Sequence, residues 1–269
     1  MKYWFIFSKT DLLLKKRPDG SLTIPQSEKN PLVVKPSTHI MEVEPMPDGD
    51  AVRTYALDDP THIVQTANEK WEYVFVGLRS SFYQLPVDMY LKAGKCQELL
   101  YWDHNTKYCG VCGAPMKMHT IISKRCTVCG KEVWPQMATA VIVLIHRGDD
   151  VLLVHAKNFK TDFFGLVAGF VETGETLEEA VHREVKEETG LKIKNLTYFG
   201  SQPWPYPCGL MVGFMAEYVS GDIHLQRSEL SKGQWFHYDN LPRIPQRLSI
   251  ARKLIDAWLK QYGIVSDQE

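Results

Sequence analysis

The sequence of 269 residues lacks any uninterrupted apolar run of about 18 residues, and it therefore predicts no membrane-spanning helix. Residues 1–20 lack the basic, apolar and small-residue regions of a secretory signal peptide in that order. Repeats and low-complexity tracts are also absent. The formal net charge of -1 provides no overall attraction to nucleic acids or anionic membranes. We therefore expect a cytoplasmic protein that does not act at a membrane.

Apolar residues make up 44% of the chain, so it can bury a sizeable core. Its length suits two domains, or one domain with a small module. The chain has 6 cysteines, and four of them form two Cys-x-x-Cys pairs. In a cytosolic protein, such pairs favour metal binding over disulfide formation.

The two pairs are Cys109 with Cys112 and Cys126 with Cys129. A glycine follows each pair, as in a zinc ribbon, where two turns supply four thiolates to one tetrahedral ion. A closed four-cysteine site leaves no position for substrate, so we predict Zn²⁺ in a structural role. One alternative is two redox pairs, although neither begins a predicted helix. Another is a nucleic-acid-binding ribbon, although the surrounding positive charge is modest.

Apolar periodicity predicts the regular elements. In the first half of the chain it predicts strands at residues 3–7, 12–14 and 73–78 and a helix at residues 86–102, and it defines little between residues 27 and 59. In the second half it predicts strands at residues 138–146, 151–155, 195–200, 211–218 and 235–238, a loop at 158–164, and helices at 177–189 and 248–262. Strands mixed with two helices predict an α/β/α sandwich around a mixed sheet.

The first predicted helix of the second half has carboxylates on the side that faces the protein. At about 100° per residue, Glu184 and Glu188 lie within its apolar arc and Glu187 lies at the edge of that arc. Buried carboxylates are normally paired or bound to a metal, and oxygen ligands suit Mg²⁺ or Mn²⁺. The alternative is an acidic surface helix in which Arg183 pairs with Glu179 and Glu187.

The same helix lies inside a longer motif. Gly169 is followed by five residues, Glu175, seven residues and then Arg-Glu-Val-Lys-Glu-Glu-Thr-Gly-Leu. This stretch fills every fixed position of the Nudix box, and the chain resembles a Nudix hydrolase. Thr176 and Glu179 predict a capping box at the start of the helix, and Gly190 predicts its end. Gly169 and Gly174 are expected to bracket the tight loop before the helix, with Gly169 at its beginning. The resemblance implies a loop–helix–loop that holds divalent metal ions against a diphosphate.

A second motif, Ser-Gln-Pro-Trp-Pro-Tyr-Pro-Cys-Gly, occupies residues 201–209. Its prolines exclude a central strand and predict a stiff, extended segment. On composition alone, a hydrophobic loop that covers the core is the favoured interpretation. The segment nevertheless resembles the SQPWPFPxS motif of NADH pyrophosphatases within the Nudix superfamily. Tyr206 replaces the phenylalanine of that motif and keeps a ring, whereas Gly209 replaces its last serine and removes a hydroxyl group.

This resemblance covers most of the chain and implies an α+β protein in three parts. They are a small α+β domain at residues 1–103, a four-cysteine zinc ribbon at 104–134, and a Nudix α/β/α sandwich with a mixed sheet at 135–269. The family implies hydrolysis of the diphosphate of NAD(H) to nicotinamide mononucleotide and AMP. It also implies removal of the NAD cap from the 5′ end of RNA, and a homodimer.

The resemblance assigns site residues by position. Catalytic carboxylates that also bind Mg²⁺ or Mn²⁺ are implied at Glu184, Glu187, Glu188 and Glu229, with the Ala168 carbonyl as a further metal ligand. Phe170 and Trp204 correspond to the aromatic residues on the two sides of the nicotinamide. The other implied substrate contacts are Arg79, Trp134, Gln202, Pro203, Pro205, Tyr206, Pro207, Cys208, Gly209 and Ala251.

Two other functions account for parts of the sequence. A Nudix hydrolase could instead cleave ADP-ribose or diadenosine polyphosphates, but the motif around Trp204 argues against this specificity. The chain could also be a zinc-ribbon regulator that binds nucleic acid and carries an inactive Nudix fold, but the intact box argues against it. Metal-dependent hydrolysis of NADH separates an enzyme from a regulator.

Overall fold

The computed structural model describes residues 1–57, 72–159 and 161–264. The chain forms two compact units by its internal contacts. We call them the N-terminal unit, Met1–Gln136 with Pro205–Cys208, and the C-terminal unit, Met137–Trp204 with Gly209–Glu269. The predicted three-part division of the chain stays a prediction. Within the described ranges, no helix is both long and apolar enough to cross a membrane.

The N-terminal unit contains a six-stranded mixed sheet. Its strands are β1 (Lys2–Ser8), β2 (Asp11–Lys16), β3 (Leu22–Thr23), β4 (Met41–Val43), β5 (Ala51–Ala56) and β6 (Tyr73–Gly77). The order is β3-β2-β1-β5-β4, and β6 also pairs with β2. Only β1 and β5 run parallel among these pairs of the described chain. The three predicted strands are confirmed as β1, β2 and β6, whereas β4 and β5 lie in the stretch that periodicity did not define.

Two helices follow β6. The short α1 is Leu78–Ser81, and α2 is Val87–Asn105. The predicted helix is therefore confirmed but starts one residue later, because Pro86 has an extended ψ of 146° and serves as the N-cap. Its buried residues are Tyr90, Ala93, Gly94, Cys96, Leu99 and Trp102.

The rest of the N-terminal unit is a small three-stranded sheet formed by β7 (Met116–Thr120), β8 (Ser123–Cys126) and β9 (Glu132–Val133). Lys124 of β8 is almost fully buried, and its Nζ lies 2.7 Å from a carboxylate oxygen of Asp103 at the end of α2. It also donates to the carbonyls of Asp103 and Thr106. Burial alone would raise the pKa of Asp103, but the hydrogen bonds and charges of Lys124 and His39 together shift it downward. This ion pair joins the small sheet to α2.

The C-terminal unit is built on a second six-stranded mixed sheet. Its elements are β10 (Ala138–Arg147), β11 (Asp150–Ala156), β12 (Val167–Phe170), α3 (Leu177–Thr189), β13 (Lys192–Trp204), β14 (Gly209–Ser220), β15 (Leu230–His237) and α4 (Ile250–Lys260). The order is β13-β14-β10-β11-β15, with β12 paired to β10. The β10–β14 pair is parallel and the others are antiparallel.

Alternate residues of β10 face opposite sides of this sheet. Val141, Val143 and Ile145 pack with α3, whereas Ile142 and Leu144 pack with α4. The strand is therefore apolar on both faces, as expected for the centre of a covered sheet. The predicted α/β/α sandwich is confirmed, with α3 on one side and α4 on the other. The loop predicted at residues 158–164 is confirmed where described, and Lys160 lies outside the described residues.

Three strands depart most from the sequence prediction. The four-residue β12 was not predicted, because a short segment with glycine has no clear alternation. β15 begins at Leu230 rather than near residue 235, because Gly233 interrupts its pattern; a Cβ there would lie 2.7 Å from Leu225. β13 continues to Trp204 and includes Pro203. Proline is tolerated there because β13 is an edge strand of the sheet.

Candidate active site

Local sequence determines the ends of α3. The Thr176 side chain accepts from the Glu179 backbone N–H, and the Glu179 carboxylate accepts from the Thr176 backbone N–H at 2.8 Å. Gly190 ends the helix with a left-handed φ of 76°, where glycine carries no steric penalty. The predicted capping box and stop are both confirmed. They define the position from which Glu184 and Glu188 project.

Glu184 lies directly against the backbone of β12. A Cβ on Gly169 would lie 2.0 Å from the Glu184 carboxyl carbon, far closer than non-bonded heavy atoms approach one another. Gly169 is paired with Val141 inside β12, so the expectation that it begins a loop is wrong. The glycine is needed because the strand and the carboxylate approach closely. Ala168, the residue before Gly169, pairs with Ile142 of β10, so the Ala168 carbonyl also lies on β12.

Arg183 links several acidic groups around α3. Its Nε and Nη2 bond to the two oxygens of Glu175 at 2.5 and 2.9 Å, and Nη2 also donates to the Phe170 carbonyl at 2.9 Å. Its Nη1 donates to Glu184 at 2.8 Å and to Glu187 at 3.2 Å. The hydrogen bonds from Arg183 lower the pKa of Glu175 to about 2. The surface-helix alternative is thus correct for the pair with Glu187.

Glu188 is 4% exposed, and its Oε2 has no hydrogen-bond partner among the described residues. Burial, followed by repulsion from the carboxylates of Glu184 and Glu229, raises its pKa to about 8. Glu184 is also buried, and burial raises its pKa although Arg183 opposes the shift. Glu187 is more exposed, with about half of its side chain accessible to solvent. A buried carboxylate without a partner is costly, and a cation would offset that cost.

These groups fit a hard divalent cation. Every donor is an oxygen, and Glu188 contributes an unpaired buried one. Glu229 is exposed, and its carbonyl accepts from Lys157 at 2.8 Å just before β15. Its carboxylate is nevertheless close enough to raise the pKa of Glu188. Within the described ranges, the glutamate oxygens do not form a group with all atoms within 4.8 Å of one another, whereas the cysteine sulfurs do.

The predicted aromatic pair lies on the opposite side of the sheet from α3. Phe170 pairs with Ala140 on β10, and Trp204 pairs with Gly209 on β14. By strand alternation, both side chains share the face covered by α4. The order β12-β10-β14-β13 separates their backbones by three inter-strand spacings, about 14 Å. Phe170 is 65% exposed, so its ring is available to a ligand.

Gln202 and Ala251 also lie on the α4 side of the C-terminal unit. Gln202 is buried, and its Nε2 donates to the Leu248 carbonyl at 2.8 Å, just before α4 begins. Ala251 is buried in the first turn of that helix. Gly209 begins β14, and a Cβ there would lie 3.0 Å from the Trp204 carbonyl oxygen. Glycine at this position of the motif therefore allows a close turn.

Pro205, Tyr206, Pro207 and Cys208 belong to the N-terminal unit. The Tyr206–Pro207 bond is cis. The Tyr206 hydroxyl lies 2.8 Å from the Tyr90 hydroxyl of α2. Exposed Arg79 of α1 lies close enough for its charge to act on the pKa of Tyr206. The structure therefore brings two predicted substrate contacts, Arg79 and Tyr206, to one region. Trp134 is exposed in the same unit.

The four cysteines form the other candidate metal centre. The Sγ atoms of Cys109 and Cys129 are 3.6 Å apart, those of Cys112 and Cys126 are 3.4 Å apart, and all four lie within 4.8 Å of one another. Sulfurs bound to one tetrahedral zinc lie about 3.8 Å apart, from a Zn–S distance of about 2.3 Å. Backbone N–H groups donate to Cys126 Sγ and lower its pKa to about 6, which favours the thiolate. The cluster therefore fits a zinc ion.

Sequence reasoning missed two groups. Arg183 was considered only as a surface charge, because its bonds to Glu175 and to the Phe170 carbonyl depend on the loop folding back over the helix. Tyr90 gave no signal, since its partner Tyr206 lies 116 residues away in the chain. Gly94 in the middle of α2 was the one available signal, because glycine is unfavourable in a helix interior unless something packs against it.

Family models match both parts of the chain. The model described as the NUDIX domain matches residues 135–258. The model described as the NADH pyrophosphatase-like rudimentary NUDIX domain matches residues 1–102. A solved NUDIX hydrolase from Nitrosomonas europaea matches with a TM-score of 0.51 at 20% identity, over 59% of this chain and 93% of that one. This likeness concerns the fold alone.

Curated relatives match over most of their length. The chain is 39% identical over 215 residues to the NAD-capped RNA hydrolase NudC of Stutzerimonas stutzeri, which covers 79% of this chain and 75% of the relative. It is 42% identical over 203 residues to the protein of the same name from Haemophilus influenzae, covering 74% and 76%. It is 45% identical over 173 residues to the NAD-capped RNA hydrolase NudC of Shigella dysenteriae, and the match covers 64% of this chain and 67% of the relative.

Proposed function

The chain belongs to the NADH pyrophosphatase family of Nudix hydrolases, and from this premise we propose that it hydrolyses the diphosphate of NAD(H). The products are nicotinamide mononucleotide and AMP, and the same cleavage removes the NAD cap from the 5′ end of RNA. The observation that carries this proposal is the buried Glu184–Glu188 pair with an unpartnered Glu188 oxygen. Such a group is retained when it binds a cation and takes part in chemistry.

We assign the catalytic cation to Mg²⁺ or Mn²⁺, held by Glu184, Glu187, Glu188 and Glu229 with the Ala168 carbonyl. Oxygen donors of this kind suit both ions. When bound, the ion neutralises charge on the phosphoryl oxygens and lowers the pKa of a water molecule. Because Arg183 bonds to Glu184 and Glu187, it holds their carboxylates in place before substrate arrives.

The carboxylates differ in their proposed roles as proton acceptors and metal ligands. Glu187, Glu188 and Glu229 are candidates to accept the proton of the attacking water. Burial and the neighbouring carboxylates raise the pKa of Glu188, as expected for a carboxylate whose stabilising partner is a cation. Glu184 instead keeps its contact with Arg183 and serves as a ligand.

Substrate recognition is assigned to the α4 side of the sheet and to the motif at residues 201–209. Phe170 and Trp204 provide aromatic faces for nicotinamide, since aromatic rings stack on one another with useful affinity. A cationic nicotinamide ring gains more from such a face than a neutral one. The exposed Phe170 ring supports this role. The other predicted contacts keep their assignment as substrate contacts.

The four cysteines are assigned to one structural Zn²⁺, supported by the sulfur spacing of 3.4 and 3.6 Å. We place the enzyme in the cytoplasm, where paired cysteines favour metal binding over disulfide formation. We also propose a homodimer, as in the family. Light scattering of the purified protein measures this state directly.

Side-by-side kinetics test the proposed function. Purified protein with Mg²⁺ or Mn²⁺ is assayed for kcat/KM on NADH, NAD⁺, NAD-capped RNA and ADP-ribose, with the products identified by chromatography. We expect nicotinamide mononucleotide and AMP from NADH, and a preference for the nicotinamide substrates over ADP-ribose. Metal-dependent hydrolysis of ADP-ribose without hydrolysis of the nicotinamide substrates would show an ADP-ribose hydrolase and contradict the proposed specificity. Binding of uncapped RNA without any turnover would show a regulator instead.

A further inference from the structure

Four residues in the middle of the substrate motif belong to the N-terminal unit. The chain leaves the C-terminal unit after Trp204, contributes Pro205–Cys208 to the N-terminal unit, and returns at Gly209. Within the N-terminal unit, helix α2 contacts two residues of this segment, Pro205 and Tyr206. The segment is the turn between β13 and β14, and the contacts with α2 hold two of its side chains.

The first contact joins the phenols of a buried tyrosine and a half-buried one. The hydroxyl groups of Tyr90 and Tyr206 lie 2.8 Å apart. Tyr90 is 4% exposed, and its ring packs edge-on against Phe82 with centroids 5.2 Å apart. Burial raises the pKa of both tyrosines, so both phenols are neutral at physiological pH. One hydroxyl can therefore donate to the other, and Tyr90 holds the Tyr206 ring in one orientation.

The second contact lies one helical turn further along α2. A Cβ on Gly94 would lie 3.0 Å from Cγ of Pro205 and 3.5 Å from its Cβ. The helix backbone therefore packs directly on the proline ring. Glycine in a helix interior is less favourable than alanine, so this close approach explains its presence. Tyr90 and Gly94, spaced i and i+4, form one stripe that contacts both Tyr206 and Pro205.

We propose that α2 positions the substrate-binding segment, and that Tyr90 is a positioning residue that determines affinity for the nicotinamide substrate. Its hydroxyl orders Tyr206, and Gly94 admits Pro205, so that α2 fixes two residues of the motif in the conformation that binds substrate. This inference rests on the proposed function. It gives the N-terminal unit a role in substrate binding, separate from the carboxylates that perform the chemistry.

The test uses the full-length Tyr90→Phe variant, which keeps the ring against Phe82 and removes only the hydroxyl. We expect KM for NADH to rise about five-fold, the scale of one neutral hydrogen bond, with kcat within two-fold of the parent. Tyr83→Phe is the matched control, because Tyr83 is 54% exposed and also contacts Phe82. The control should leave KM unchanged.

A double variant tests the pairing itself. If the two hydroxyls act through one bond, the Tyr90→Phe/Tyr206→Phe double variant should raise KM by less than the product of the two single effects. Gly94→Ala, which pushes on Pro205, should raise KM in the same way as Tyr90→Phe. Independent effects of the two hydroxyl deletions, or an unchanged KM in Tyr90→Phe, would overturn the proposal.

A readout without substrate separates this inference from the proposed function. Cys208 lies in the segment and is half-buried, whereas Cys96 of α2 is fully buried. Alkylation of each thiol, followed by peptide mass spectrometry, should be several-fold faster at Cys208 in Tyr90→Phe and unchanged at Cys96. If the parent protein does not hydrolyse NADH but Tyr90→Phe still speeds alkylation of Cys208, the proposed function is refuted and the positioning role of Tyr90 stands. Unchanged alkylation at Cys208 would refute the positioning role itself.

Discussion

The α-carbon of Gly169 lies so close to the Glu184 carboxylate that a Cβ would meet its carboxyl carbon at 2.0 Å. Gly169→Ala must therefore displace Glu184 from β12. We expect kcat on NADH to fall by roughly one to two orders of magnitude, the scale for an ångström-level misplacement of a catalytic group. Gly200→Ala is the control, because no atom lies within 4 Å of its added Cβ. Equal kcat in both variants, with intact folding by thermal melting, would contradict this relationship.

Glu188→Gln tests the chemistry with little change in shape. Loss of its charge should reduce kcat by roughly two orders of magnitude or more, the usual scale for a group that acts in the chemical step. The free energy of unfolding should not fall, since an unpartnered buried carboxylate is itself unfavourable. Glu178→Gln, an exposed change on the same helix, is the control. Near-normal NADH hydrolysis by Glu188→Gln at saturating Mg²⁺ would rule out the role.

Metal analysis tests the cysteine cluster. The purified protein should contain one zinc per chain, because four Sγ atoms lie within 4.8 Å of one another. Cys109→Ser should lower zinc content and the free energy of unfolding together, since metal affinity is part of the folding free energy. Cys208→Ser is the control for both measurements, because Cys208 lies outside the cluster and is only half-buried, whereas Cys96 is buried in α2. A chain that stays folded and fully active after removal of zinc would contradict a structural site.

Trp204→Ala tests specificity. Removing a stacked aromatic ring costs on the order of 1 kcal/mol beyond area burial, so kcat/KM for NADH should fall by about five-fold or more. ADP-ribose lacks nicotinamide and should lose much less. The ratio of the two values is the measurement, because it cancels general damage to the fold. A parallel decline on both substrates would mean that Trp204 only covers the core.

Glu98 of α2 predicts a pH-dependent stability. Burial raises its pKa from 4.5 to about 7, and its Oε1 lacks a partner among the described residues. The folded protein thus disfavours the charged form, and this penalty grows between pH 4.5 and 7 and is complete above pH 7. Glu98→Gln should therefore be stabilising at pH 8 and nearly neutral at pH 4.5, as measured by urea unfolding. A stability difference that does not change with pH would contradict this.

The sequence alone determined the features that depend on near neighbours. The capping box of Thr176 and Glu179, the stop at Gly190 and the buried side of α3 all follow from contacts within a few residues. The cysteine pairs likewise carry their geometry in two short turns. Local hydrogen bonds and apolar periodicity involve residues that are close in the sequence. These elements and the α/β/α class were therefore predictable.

Only the tertiary structure decided the rest. Gly169 is a strand residue because Glu184 packs on it, which no local pattern records. Residues 205–208 join the N-terminal unit because Tyr90 and Gly94, more than 100 residues earlier in the chain, contact them. The distance between Phe170 and Trp204 follows from strand order. These contacts form between segments that are distant in the sequence. Their free energy depends on how closely the packed side chains fit together, which a pattern of residue types along the chain does not specify.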